Sequence, residues 1–342
     1  NPDSVNWFED FAALCAGRFG DRVKDFIPLN EPQCFIGLGH AAGEHAPGLK
    51  LPLGATIPMA HHVLLSHGKA CAALRDSLPG VRLGYAPCAN PAIPLSDAAD
   101  DIAAARKAYF HVPENADRWF WNVAWWSDPV LLGEYPAQGL GLYEKYLPQG
   151  WEKDMPAIRQ NLDWYGQNIY QGNLIRAAQN ALGWEQAPHP AGISKTASEW
   201  PVTPDCLYWG PRFLYERYGL PILVTENGMA GLDAVSLDGL VHDAERINYL
   251  HRYLLALRRA ADDELALAIG PESNRTVWPL EHWEDNVFAA SPSAENFPAG
   301  SRGSVIFDDD DADTTVTLSL LDENGLGTFT RVGGEGGADG DA

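Results

Sequence analysis

Two short apolar runs in this chain each end in a glutamate and a turn. Phe26-Ile27-Pro28-Leu29 leads into Asn30-Glu31-Pro32, and Leu220-Pro221-Ile222-Leu223-Val224 leads into Thr225-Glu226-Asn227-Gly228. A near-continuous apolar run bounded by turn residues reads as a strand buried on both faces, the kind found in parallel sheets under helices. A carboxylate at the end of such a strand faces a ligand cleft. Two glutamates so presented suit hydrolysis of a glycosidic bond: one protonates the leaving oxygen while the other attacks the sugar carbon from the opposite face. The competing reading is coincidence, since the chain holds 46 acidic residues.

The rest of the chain alternates in the same way. Residues 4 to 19 carry Val5, Phe8, Phe11, Leu14, Cys15 and Phe19 at helical spacing, with Ser4 as a cap and Gly20 as a stop. The Gly-, His- and Pro-rich stretch from Gly37 to Pro58 is too long for a plain connection and reads as a binding loop. Helices are predicted over residues 60–78, 97–108, 207–218 and 242–261, the last with Ile247, Leu250, Leu254, Leu255 and Leu257 on one side. Further strands are predicted at residues 81–86 and 163–170, and a long loop carries Trp184, Trp200 and Trp209. Residues 118–136 pack aromatics, among them Trp119, Trp121, Trp125 and Trp126. Such rings either fill a core or, at the mouth of a sugar site, stack on a pyranose.

Strand and helix in alternation, with functional groups at strand C-terminal ends, indicate an α/β fold of the (β/α)₈ barrel type. Only four strand candidates precede residue 265, too few to close eight strands. The expectation is a partial barrel over residues 1–265. Beyond it the pattern changes to alternation: residues 305–307, 315–320 and 328–332 read as strands in a small β-rich segment, 266–332. The acidic run from Asp308 to Asp311 with Asp313 lacks the glycine and terminal glutamate of a calcium loop, and reads as a solvated hairpin turn. Residues 333–342 form a flexible Gly- and Asp-rich tail.

Composition narrows the partners. With 342 residues, 46% apolar and 20% charged, the chain can bury a sizeable core. A formal charge of −22 opposes approach to nucleic acid or an anionic membrane surface. The five cysteines, Cys15, Cys34, Cys71, Cys88 and Cys206, are odd in number and lack paired spacing, so neither a disulfide framework nor a metal site is expected. No run of 18 apolar residues and no leader-like segment is visible, and a cytoplasmic location is the expectation.

The motifs together resemble glycoside hydrolase family 1, the β-glucosidase family, from residue 1 to about 262. The residues that carry the resemblance are Phe19-Gly20-Asp21-Arg22-Val23-Lys24 leading to Leu29-Asn30-Glu31-Pro32, Gly43-Glu44-His45-Ala46-Pro47-Gly48, Asp128-Pro129 with Gly133-Glu134-Tyr135-Pro136, residues 163–170, and Val224-Thr225-Glu226-Asn227-Gly228. By that resemblance Glu31 is the general acid/base and Glu226 the nucleophile. Asn30 would bind the sugar 2-hydroxyl, Tyr170 would hydrogen-bond the nucleophile, and Asn168 would orient its neighbours. The implied reaction is retaining hydrolysis of a β-glucoside or related β-glycoside, with no metal and no organic cofactor.

Departures from the family bear on activity. Pro28 stands where the family usually has Thr, and the family's first three barrel strands and last strand, with their sugar-gripping residues, have no counterpart in this sequence. Residues 275–332 instead weakly resemble the small C-terminal β-domain of β-lactamase-like serine hydrolases, without a Ser-x-x-Lys nucleophile. Two other readings follow from these departures. The chain is a non-catalytic remnant that binds weakly or self-associates through unpaired barrel edges, or it is a serine hydrolase identified by its tail.

Overall fold

The computed structural model describes residues 1–262, 266–269, 276–284, 287–290, 303–310, 313–319 and 328–330. The chain divides into two compact units, Asn1–Ala256 and Leu257–Ala342. In chain order its helices are α1 (Ser4–Phe19), a π-helix (Gln33–Ala42), α2 (Leu53–Ser77), α3 (Ala99–Tyr109), α4 (Ala124–Leu131), α5 (Ala137–Tyr143), α6 (Met155–Ile158), α7 (Cys206–Tyr218) and α8 (Ala244–Asp262). The strands of the first unit are β1 (Asp25–Phe26), β2 (Arg82–Tyr85), β3 (Ala92–Pro94), β4 (Trp164–Asn168), β5 (Asn173–Ala177), β6 (Trp184–Gln186) and β7 (Ile222–Glu226).

Strands β1, β2, β4 and β7 form one parallel sheet in that order, and these are the four strands expected from the sequence. Sequential parallel pairing with intervening helices is the (β/α) pattern, so the first unit is a partial (β/α)₈ barrel. Its register carries the C-terminal ends of all four strands to one rim. Asn30 bridges Ala86 beyond β1 and β2, Cys88 bridges Asn168, and Asn168 is paired with Glu226. A second, three-stranded sheet, β3-β5-β6, forms from short segments where the sequence pattern predicts no strand.

Burial explains which residues hold this sheet. Leu83, Tyr85, Tyr165, Trp119, Trp125 and Trp126 are fully buried in one core cluster. The clustered tryptophans therefore belong to the core; Trp119 stacks on Trp126 with centroids 5.7 Å apart, and only Trp121 of the group is exposed. Asp128 is buried but satisfied, because Arg217 donates to both its oxygens and the Tyr218 hydroxyl donates at 2.8 Å. A buried carboxylate without such partners would cost several kcal/mol.

Two helices bury a different face from the one their aliphatic residues mark out. On α1 the buried positions are Val5, Ala12 and Ala16, while Phe11, Leu14 and Phe19 are exposed. On α8 the stripe of Ile247, Leu250, Leu254 and Leu255 is exposed, and Tyr249, Tyr253 and Ala256 are buried. Both helices carry two apolar faces, and periodicity alone cannot choose between them. The stretch expected as a binding loop also differs: its start lies in the π-helix and its end, from Leu53, is the first turn of α2.

The second unit contains an antiparallel six-stranded meander, β8 (Ala266–Ile269), β9 (Thr276–Glu284), β10 (Val287–Ala290), β11 (Gly303–Asp310), β12 (Asp313–Leu318) and β13 (Thr328–Thr330), paired in sequence order. Val305 and Leu318 are partners across β11 and β12, and both are buried. The acidic run ends this hairpin, with Asp310 opposite Asp313. The tail from residue 333 lies outside the described residues. No described helix is long and apolar enough to cross a membrane.

Candidate active site

The rim formed by the strand ends collects the five residues singled out by sequence. Glu31 lies five residues past the end of β1 and is anchored at the end of β2 by its own N–H, which donates to the Ala86 carbonyl at 2.8 Å. Its backbone is strained, with φ at 43°, a region that a residue with a side chain enters only when its surroundings hold it there. The π-helix begins two residues later, and Cys34 in its first turn donates its backbone N–H to the Glu31 carbonyl at 2.9 Å.

Asn168, at the end of β4, joins the two edges of the rim. Its amide nitrogen donates to Glu31 at 2.8 Å and to the Asn30 side-chain oxygen at 3.1 Å. Its amide oxygen accepts from the Thr225 hydroxyl at 2.5 Å, one residue before Glu226. Asn168 is buried, whereas Glu31 and Glu226 are half-buried and Asn30 is exposed. The Tyr170 hydroxyl donates to Glu226 at 2.5 Å. Burial, that hydrogen bond, and the charges of Glu226 and then Glu31 push the Tyr170 phenol well above its usual range, so it stays protonated as a donor. Both carboxylates therefore act on the same hydroxyl.

Tyr170 is itself held from behind. Its carbonyl accepts from the Tyr249 and Tyr253 hydroxyls at 2.9 and 3.0 Å, and these two rings stack with centroids 3.8 Å apart on α8. Asn227 donates to the Ile169 carbonyl at 2.8 Å and to Tyr249 at 3.2 Å, which pins the turn after Glu226. Half-exposed Trp200 packs against the Tyr170 ring at 5.6 Å. Sequence reasoning missed Trp200, Tyr249 and Tyr253 as site residues. The only available signal was the i, i+4 spacing of the two tyrosines, on a helix whose aliphatic side drew the assignment.

Beside Glu31 lies a pair of thiols that no spacing announced. Cys34 Sγ donates to Glu31 Oε2 at 3.1 Å and lies 3.9 Å from Cys88 Sγ. Cys88 follows β2 and is buried; its N–H donates to the buried Gln33 amide oxygen at 3.4 Å. Its hydrogen bond with Cys34, burial, and the neighbouring charges hold the Cys88 thiol far above the ordinary thiol range.

Two carboxylates thus share a barrel rim, one backed by a tyrosine hydroxyl and the other by an asparagine amide. Residues 1–269 match the family described as Glycosyl hydrolase family 1, and the chain belongs to that family. Among its relatives, a 1,4-beta-D-glucan glucohydrolase of Thermotoga neapolitana is 33% identical over 288 residues, 82% of this chain and 62% of that protein. A beta-glucosidase of Agrobacterium sp. is 35% identical over 72% of this chain and 52% of its own length. The solved family 1 b-glucosidase from Thermotoga maritima matches 77% of this chain and 57% of that one, with a TM-score of 0.65 and 31% identity. The chain thus spans between about half and three fifths of the length of these relatives.

Proposed function

We propose that this chain carries the catalytic pair of a retaining β-glycosidase of β-glucosidase type. The observation that supports it most is the bonded path across the rim, from Glu31 through Asn168 and Thr225 to β7, where Tyr170 donates to Glu226. Such a path ties both carboxyl groups to one frame of uncharged hydrogen-bonding side chains. In the reaction, Glu226 attacks the anomeric carbon as the glycosidic bond breaks, and Glu31 gives its proton to the leaving oxygen. The resulting glycosyl-enzyme is opened by water, whose proton returns to Glu31 as the Glu226 ester bond is released. Asn30, exposed at the rim, would receive the sugar 2-hydroxyl, and the nearby face of Trp200 offers a surface for a pyranose.

Exposed apolar faces favour a second reading, a barrel portion that binds or self-associates without turnover. Leu223 on outer strand β7 and the aliphatic stripe of α8 are uncovered among the described residues. Transition-state stabilisation also draws on sugar-hydroxyl contacts and a closed, dry pocket. A chain working without such contacts would hydrolyse an activated aryl β-glucoside at least about a thousandfold more slowly than one that makes them, roughly 4 kcal/mol in the barrier. We take residues 266–332 as a separate β segment without serine chemistry.

The experiment is to incubate the purified chain with a 2-deoxy-2-fluoro β-glucoside carrying a good leaving group, and to map the adduct by mass spectrometry. A covalent label on Glu226, absent from Glu226→Ala together with all turnover, is the expected result. Turnover undiminished in Glu226→Ala would overturn the assignment. A label-free, inactive chain would favour the non-catalytic reading.

A further inference from the structure

We propose that Glu31, Cys34 and Cys88 form a binding site for a thiophilic divalent cation, zinc or cadmium, on the rim beside the acid. One carboxylate oxygen and two thiol sulfurs lie mutually within 4.8 Å, the only such group of three or more ligands among the described residues. Tetrahedral coordination with zinc–sulfur bonds of about 2.3 Å separates two sulfurs by roughly 3.8 Å. The observed separation of 3.9 Å already matches that requirement. Two sulfurs with one carboxylate oxygen form a donor set that prefers zinc or cadmium to magnesium or calcium, and three protein ligands leave the fourth position to water.

The site is also supported from behind, as ligand sets need to be. Glu31 and Cys34 sit one turn apart, tied by the backbone hydrogen bond from Cys34 to Glu31. Cys88 is fixed by its bridge to Asn168 and by Gln33, whose side chain is anchored in turn by donating to the Asn122 carbonyl at 3.2 Å. Binding replaces two S–H bonds by two metal–sulfur bonds and releases those two protons to solvent, and a third leaves from Glu31 where its carboxyl is protonated, with no change of oxidation state. The site therefore fills more readily as pH rises. Because coordination occupies the Glu31 carboxylate, the bound cation removes the proton donor; this consequence alone rests on the proposed hydrolytic role of Glu31.

The test is a titration of the reduced, full chain with cadmium, followed by the ultraviolet thiolate-to-cadmium charge-transfer band and by proton release. One cadmium per chain with about two to three protons released, according to whether Glu31 is protonated beforehand, is expected. Cys34→Ser and Cys88→Ser should each weaken binding by roughly a hundredfold or more, since even ligand-supporting residues are worth ten- to a hundredfold. Cys15→Ser, on α1, should bind as the parent does. Glu31→Gln separates the two proposals: it keeps the band but weakens binding by about tenfold or more, whether or not the parent hydrolyses any glycoside. Absence of the band in the parent overturns the site. So does binding unchanged in Cys34→Ser or Cys88→Ser, and so does a chain in which these two thiols prove already joined as a disulfide.

Discussion

Inner strands β2 and β4 and outer strands β1 and β7 belong to one sheet but live in different surroundings. On the inner pair, Leu83, Tyr85, Tyr165 and Asn168 are almost wholly buried. On β7, Leu223 is 48% exposed although its register partner Gly166 is buried. Glu226 ends outer strand β7 and Glu31 comes five residues after outer strand β1, while Asn168, which ties the two sides together, ends inner strand β4. Rigidity is thus supplied from the middle of the sheet and chemistry is displayed at its margins. A functional group at the end of a well-packed strand needs little packing of its own, provided that an inner residue such as Asn168 holds it in position.

The sharpest way to break this contrast is a pair of truncations at adjacent positions on neighbouring strands. Tyr165→Ala removes a fully buried ring that stacks on Tyr218 at 5.4 Å and shares a 2.8 Å hydrogen bond with Ser127. Cavity formation on that scale costs about 3–5 kcal/mol. Leu223→Ala removes a half-exposed side chain and should cost less than about 1 kcal/mol. Urea unfolding of the two variants measures the difference directly. Equal losses would mean that the outer strand is packed as tightly as the inner one.

A smaller effect probes the inner strands through pH. His67 on α2 is fully buried against the Tyr85 ring at 5.1 Å, and burial, with the nearby Arg75 charge, depresses its pKa from 6.5 to about 3. Between those values the unfolded chain binds a proton that the folded chain refuses. Stability therefore falls as pH drops below about 6.5, by roughly 2 kcal/mol at pH 5 from this residue. The fall continues until pH nears 3, below which both states are protonated. His67→Gln should remove that part of the acid sensitivity, read as a flatter dependence of unfolding free energy on pH between 7 and 5. An unchanged slope would show that water already reaches the imidazole.

How much of this was legible in the sequence follows from the kind of signal each feature leaves. The apolar runs at β1 and β7 mark strands although both prove only partly buried, and Glu31 and Glu226 stand out because each ends such a run beside turn residues. Asn30, Asn168 and Tyr170 came from the family resemblance, and the fold brings all five to one rim. Strands β3, β5 and β6, three to five residues long, leave no such trace, because no apolar run ending in a turn marks them out. The covered face of α8 is not legible in the sequence because tyrosine and aliphatic faces compete on one helix, and only tertiary contacts with the Tyr170 carbonyl decide. The Cys34–Cys88 pair was invisible for a topological reason. Their proximity depends on β1 and β2 pairing in parallel, which sets residues far apart in sequence on one rim.

The smallest expected effect falls on the margin and carries the self-association proposal. An outer strand presents unpaired backbone groups, and proteins commonly guard such edges with charge. Strand β7, read from Ile222 to Glu226, has no charge before its final glutamate, and Leu223 is exposed in its middle. Lysine at that point keeps a long apolar stem along the strand while placing an ammonium where a second strand would approach. Leu223→Lys should therefore leave unfolding free energy within about 0.5 kcal/mol of the parent. At the same time it should shift the chain toward monomer, measured by sedimentation over a range of concentrations. A loss of 2 kcal/mol or more would mean that Leu223 is packed in solution, and the contrast between inner and outer strands would fail at β7. Undiminished association with unchanged stability would instead move the contact away from this edge, to the uncovered aliphatic stripes of α1 or α8.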